Sequence, residues 1–141
     1  MRTPSLTLIA LALALLALAA CGPDTTCSSA EASLSYTGLI EQMESFITIG
    51  RESEASAYSE IGPYIDRLRE VREATAGLTL PACAEEARAA QLAVMDASIE
   101  MQEVLLETGN PEAAEPIVEQ ANAAFETWML AIQDLQEEMG D

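Results

Sequence analysis

The sequence predicts an all-α protein, an antiparallel helical bundle, four helices with a reversal or kink near Gly50, behind an amino-terminal segment of different character. Three observations carry this expectation. Half of the 141 residues are apolar, yet Ala and Leu dominate and only six residues are aromatic, a composition that favours helices. Apolar residues recur at alternating steps of three and four, the spacing that lines one face of a helix. Glycine and proline are few, and they fall where those patterns stop.

The first segment stands outside the bundle. Met1-Arg2 gives a short positive start, and Leu6 through Leu18 is apolar apart from Thr7, about the length of a signal-peptide core and too short to span a membrane. The segment ends Leu18-Ala19-Ala20-Cys21-Gly22, which resembles the lipobox of bacterial lipoproteins. The resemblance implies that residues 1–20 are a signal peptide and that Cys21 becomes the first residue, carrying diacylglycerol and palmitate-type acyl chains that anchor it to a membrane. Only a thiol forms that thioether, and two or three chains hold a protein where one does not. The alternatives are a secreted protein cut at Ala19-Ala20 and an uncleaved anchor. Gly22 stands where an aspartate commonly retains such lipoproteins in the inner membrane. The resemblance therefore points to the outer membrane of a two-membrane bacterium, or to the outer face of the cell membrane where there is only one.

Residues 21–30 read as a lipidated tether and 31–141 as one acidic helical domain, a size that suits a single core. Ser28 and Glu31 are spaced for a capping box, so the first helix begins there. Its stripe is Tyr36, Ile40, Met43 and Ile47, widened by Leu39 and Phe46. Continued, that register lands on Gly50 and Glu54 before recovering at Ala57, Ile61, Tyr64, Leu68 and Val71, so the chain bends or breaks over residues 50–54. Gly62-Pro63 interrupts again, and the second helix starts either near Ser53 with a kink or at Pro63. Gly77 is expected to end it in the left-handed conformation. Pro81 opens a third helix through Leu106, with Leu92, Met95, Ile99 and Leu106 on one stripe and Val94, Met101 and Leu105 beside it. Gly109-Asn110-Pro111-Glu112 supplies a terminator, a cap, a first-turn proline and a first-turn acid. The last helix carries Val118, Ala121, Phe125, Trp128, Ile132, Leu135 and Met139.

With Cys21 acylated, Cys27 and Cys83 remain, in a compartment that is usually oxidising, and a disulfide is the natural pairing. Free thiols or a bridge to a second chain are the alternatives. The pairing bears on topology. Residues 31–76 as one helix would span about 65 Å, whereas a bridge needs α-carbons within roughly 7 Å, so a bridged chain folds back near Gly50 into four helices rather than three.

Charge and composition exclude much chemistry. Past the leader, five arginines minus 24 carboxylates leave −19, with no lysine or histidine, a field that repels nucleic acid and anionic membrane surfaces. Cationic proteins and divalent cations stay compatible with it. Without histidine there is no Ser-His-Asp triad, no Glu-x-x-His di-iron site and almost no route to a zinc hydrolase. Glu85-Glu86, Glu100-Glu103-Glu107 and Glu137-Glu138 could pair as acid and base or hold calcium or magnesium, but helical spacing makes Glu100, Glu103 and Glu107 a solvated face. Met43, Met95, Met101, Met129 and Met139 read as core filling over a copper site. Arg67, Arg69 and Arg72, interleaved with acids, read as intrahelical ion pairs, Arg69 with Glu73 among them, over an anion-docking patch.

The stretch Tyr64 to Arg72, then Leu80-Pro81-Ala82-Cys83-Ala84 and the helix bearing Met95-Asp96, resembles uncharacterised helical envelope lipoproteins with a Pro-x-Cys-Ala turn. That resemblance implies no activity and no cofactor beyond the covalent lipid on Cys21. The expected role is a non-catalytic, lipid-anchored binding or structural module of the cell envelope. The alternative is a periplasmic carrier or sensor of a small ligand or cation, using the acidic faces or a core pocket formed by Phe125, Trp128 and the methionines. An enzyme working through carboxylates alone is the third reading.

Overall fold

The structure, a computed structural model, describes residues 26–140. The leader at 1–20, Cys21 and the tether as far as residue 25 lie outside the described residues. Four helices follow: α1 (Ser29–Glu54), α2 (Gly62–Ala76), α3 (Glu85–Thr108) and α4 (Glu115–Met139), with 3-10 turns at Tyr58–Glu60, Ala82–Ala84 and Pro111–Ala114. Each helix packs on the next and α4 returns to α1, which gives an up-down-up-down bundle.

Local chemistry sets most of the boundaries. The Ser28 hydroxyl accepts the Glu31 N–H at 3.3 Å, and the Glu31 carboxylate accepts the Ser28 N–H at 3.0 Å and its hydroxyl at 2.7 Å. This closed capping box holds the Glu31 carboxyl below its ordinary pKa, the Ser28 hydroxyl being the larger cause. Gly109 ends α3 at φ +62°, and the Asn110 side chain accepts the Glu112 N–H at 3.1 Å, so the helical hairpin forms as its residues dictate. Gly77 differs from expectation: it is right-handed, at φ −82°, because the chain leaves α2 directly into the extended 78–81 segment.

The reversal also falls later than the sequence register suggests. Gly50 is helical, α1 runs on to Glu54, and the chain turns back through residues 55–61. The buried line of α1 is Leu39, Met43, Phe46, Ile49 and Ser53, displaced from the expected stripe, whose Ile47 is 39% exposed. Along this line the periodicity does not fail at Gly50. Ser53 belongs to it because its hydroxyl is satisfied internally, donating to the Gly50 carbonyl at 2.7 Å.

Cys27 and Cys83 are joined, with α-carbons 5.3 Å apart, at the end where α1 and α3 begin. The end of α4 is tied to the same place, since the Cys27 N–H donates to Glu138 Oε2 at 3.1 Å and the Ser29 hydroxyl to the Met139 carbonyl at 2.9 Å. Arg88 secures the end of α2, donating to the carbonyls of Ala76 at 3.1 Å and Leu78 at 2.8 Å while pairing with Glu85. The core thus already includes Cys27, ahead of the expected domain start at residue 31.

Two clusters of buried side chains share α1 and α3. The one nearest the disulfide draws its third helix from α4, through Trp128, Ile132 and Leu135. The one at the far end draws it from α2, through Ile65 and Leu68 with Ile61, and contains no residue of α4. Among the described residues, both clusters and the disulfide are built from residues 27–139.

Candidate ligand-binding cleft

The far-end cluster leaves the first half of α4 without a core to enter. Its apolar residues Val118 and Phe125 stay 40% and 43% exposed, and a cleft of about 480 Å³ opens between the last turns of α1, the 55–61 turn and α3, with Phe125 of α4 at its edge. Met43, Phe46, Ile61 and Val94 form apolar wall, while Ile47, Tyr58 and Phe125 stand at the exposed lip. Arg51 and Glu54 put one charge of each sign on the rim. Concave, mainly apolar space of this size with a few polar groups is the usual form of a small-molecule site.

Two buried glutamines on α3 differ in their hydrogen bonding. Gln91, fully buried, donates from Nε2 to the Leu39 carbonyl at 2.9 Å and accepts the Trp128 indole N–H on Oε1 at 3.2 Å. Gln102 lies eleven residues on, close to three helical turns, and so on nearly the same face about 16 Å further along. It is 8% exposed, lines the cleft, and its Oε1 has no hydrogen-bond partner. The reason lies in the neighbours. Eleven residues beyond Leu39 on α1 comes Gly50, whose carbonyl already accepts the Ser53 hydroxyl and could in any case serve only the Nε2 side of the amide. Eleven residues back from Trp128 on antiparallel α4 comes Ile117, a side chain with no hydrogen to donate. A buried acceptor left unpaired costs about 1–3 kcal/mol. The second such atom among the described residues, Ser35 Oγ, does not line the cleft.

The structure separates the two aromatics expected at a ligand pocket. Trp128 is a core residue held by Gln91; Phe125 is at the cleft lip, its ring 5.5 Å from that of Trp128 at 45°. Met43 and Met101 line the cleft, Met95 is fully buried in the core, and Met129 is 48% exposed, so core filling describes only some of the methionines. Gln91 and Gln102 were missed as functional positions, although the sequence carried a signal: with Val94, Ser98 and Leu105 they form an unbroken series of steps of three and four.

The charged groups serve the bundle. Arg67 reaches Glu52 of α1 at 2.6 Å, while Arg69 reaches Glu103 at 2.6 Å and Arg72 reaches Asp96 at 2.8 Å, both on α3. Arg69 also bonds Asp66, and Arg72 also bonds Glu73. The expected Arg69–Glu73 pair is therefore replaced by contacts between helices, because Arg69 points across to α3. Glu103 and Asp96, through their hydrogen bonds first of all, hold the pKa of Arg69 and of Arg72 above the ordinary arginine value. Glu103 is thus drawn out of the solvated face to which Glu100 and Glu107 belong. Among the described residues no group of three or more acidic or cysteine side chains is arranged to hold a metal ion, and no helix is long and apolar enough to cross a membrane.

These features define a disulfide-linked four-helix bundle with a cleft at one end. No protein-family model, curated protein or solved structure matches the chain.

Proposed function

We propose that this protein is a non-catalytic binding module of the cell envelope, exported, anchored to a membrane by lipid on Cys21, and holding a small ligand in the cleft that α1 and α3 line and Phe125 of α4 edges. The observation that carries the reading is the cleft itself, an apolar recess of about 480 Å³ bounded by core side chains in a chain without histidine or lysine. Chain length supports a division of labour between the two ends. Cys21 lies six residues before Cys27, a reach of at most about 22 Å, whereas Gly50 lies about 35 Å along α1 from the disulfide end. The cleft is then the membrane-distal end, accessible to ligand while the lipid is engaged. The acidic surface keeps such a protein soluble on its tether and disfavours anionic partners.

Fractionation and native mass spectrometry test the two parts. The wild type is expected in the membrane fraction and Cys21→Ser outside the lipidated pool, and protein from gently lysed envelopes should carry a small-molecule adduct that Gly50→Leu loses. A Cys21→Ser protein that remains lipidated contradicts the anchor; adduct-free wild type, with amphiphilic probes also failing to bind, contradicts the cleft.

A further inference from the structure

We infer that the cleft takes a cationic amphiphile, its apolar body inside and an amine or quaternary ammonium head at the mouth beside Glu54; this rests on the cleft being the binding element. The period of α1 places the head. Met43, Ile47, Gly50 and Glu54 all line the cleft and follow one another at steps of four, three and four, so one line of the helix runs from apolar wall to carboxylate. Arg51 also reaches the cleft, but one residue past Gly50 it is turned about 100° from that line. Glu54 is exposed and takes part in no ion pair among the described residues, so its carboxylate is open to a ligand. Arginines do not neutralise this end of the bundle. Arg67, Arg69, Arg72 and Arg88 are already paired with carboxylates. That leaves Arg51 against Glu54, Glu60, Glu107, Glu112 and Glu115, all outside those pairs, where α1 and α3 end and α2 and α4 begin. A field of that sign concentrates cations and opposes a carboxylate or phosphate. The wall hydroxyls agree: Ser53 donates to the Gly50 carbonyl at 2.7 Å and Ser98 to the Val94 carbonyl at 2.8 Å, so neither has a hydrogen left for an anionic head. Deeper in, Met43, Phe46, Met101 and Leu105 present the apolar surface that the body covers, the thioethers adapting to its shape. Tyr58 and Phe125, exposed at the lip, add rings whose faces attract an ammonium.

The test is calorimetric titration of the full chain carrying Cys21→Ser, so that no lipid of its own competes, with decylammonium, 1-decanol and decanoate below their micelle concentrations. Decylammonium should bind about tenfold more tightly than 1-decanol, the sum expected of one exposed ion pair and one cation–ring contact, and decanoate should bind least. Added salt should narrow the gap between amine and alcohol without weakening the alcohol. Glu54→Gln should weaken decylammonium about threefold and leave 1-decanol unchanged, whereas Glu70→Gln, the same change of charge on α2 and no part of the cleft lining, should alter neither. Gly50→Leu should lose all three ligands, since its side chain enters space in which a Cβ meets nothing within 4 Å. Gly50→Met repeats the block should the leucine variant melt below wild type. A Glu54→Gln effect no larger than that of Glu70→Gln overturns the head site while leaving the cleft as a site. Tightest binding of 1-decanol overturns the inference, as does tightest binding of decanoate, which assigns recognition to Arg51. Failure of all three to bind, or binding untouched by the Gly50 variants, removes the cleft reading and this inference with it.

Discussion

Near the disulfide, α1, α3 and α4 pack around Trp128, and every polar atom of Gln91 finds a partner; at the far end α1 and α3 pack instead with α2, and the corresponding glutamine lines a cleft. The same helix presents the same side chain twice at nearly the same angle, so the difference does not come from α3. It comes from α4, which brings an indole to one end and, three turns earlier, Ile117 among small residues such as Ala121 and Ala124. Packing that is complete at one end and incomplete at the other separates stability from binding along a single bundle.

The largest test of this contrast removes the cross-link at the closed end. Cys27→Ser with Cys83→Ser should lower the unfolding free energy in urea by about 4 kcal/mol, the loop-entropy value for a separation of 56 residues. Loss of well under 1 kcal/mol would mean that the closed end does not depend on its staple. Next comes one substitution made at both glutamines. Gln91→Leu strands the Trp128 indole N–H and removes the second hydrogen bond to the Leu39 carbonyl, and should cost about 1–3 kcal/mol, whereas Gln102→Leu strands nothing and should be neutral or stabilising by up to about 1 kcal/mol. Equal losses by denaturant titration would erase the distinction between the two ends.

Gly50→Ala adds a methyl group in open space within a helix and should stabilise by about 0.5–1 kcal/mol, as should Gly38→Ala, a difference that thermal melts resolve. A smaller effect is expected for Asp96→Asn, which leaves Arg72 with Glu73 and should cost about 0.5 kcal/mol or less, since the pair is largely exposed. The smallest is a pH effect at the closed end. Because the Glu31 carboxyl titrates below the ordinary glutamate value of 4.5 in the folded protein, its contribution is present above that value and disappears as pH falls through the lower folded value. The stability difference between wild type and Glu31→Gln should therefore shrink below about pH 4.5 and stay constant above it, read from melting temperatures across that range.

Most of the fold was legible because its signals are local. The Ser28–Glu31 box, Gly109 followed by Asn110, and the prolines at 63, 111 and 116 all act through chain geometry within a turn or two, and each helix begins or ends beside them. The even pair of cysteines foretold the topology, since only a folded-back chain brings Cys27 to Cys83. The site was less legible. Trp128 and Phe125 sit three residues apart on one stripe, which says that they share a face but not that one is enclosed and the other half in water. The α1 stripe was placed one position off because Ile47 is apolar and Ser53 is polar, whereas burial followed the backbone, with Ser53 satisfied by Gly50 and Ile47 left at the lip. Gln91 and Gln102 looked alike.

By itself the sequence determined the amphipathic helices and their punctuation, because propensity, capping and helical period depend on neighbours along the chain, and it made Cys27 with Cys83 the natural pairing on which a count of four helices rested. Only the tertiary structure decided which buried glutamine is satisfied, where α4 leaves the core, and which aromatic meets solvent. Those outcomes depend on the distance between helices, and that distance is set by the volumes of side chains on three different segments at once.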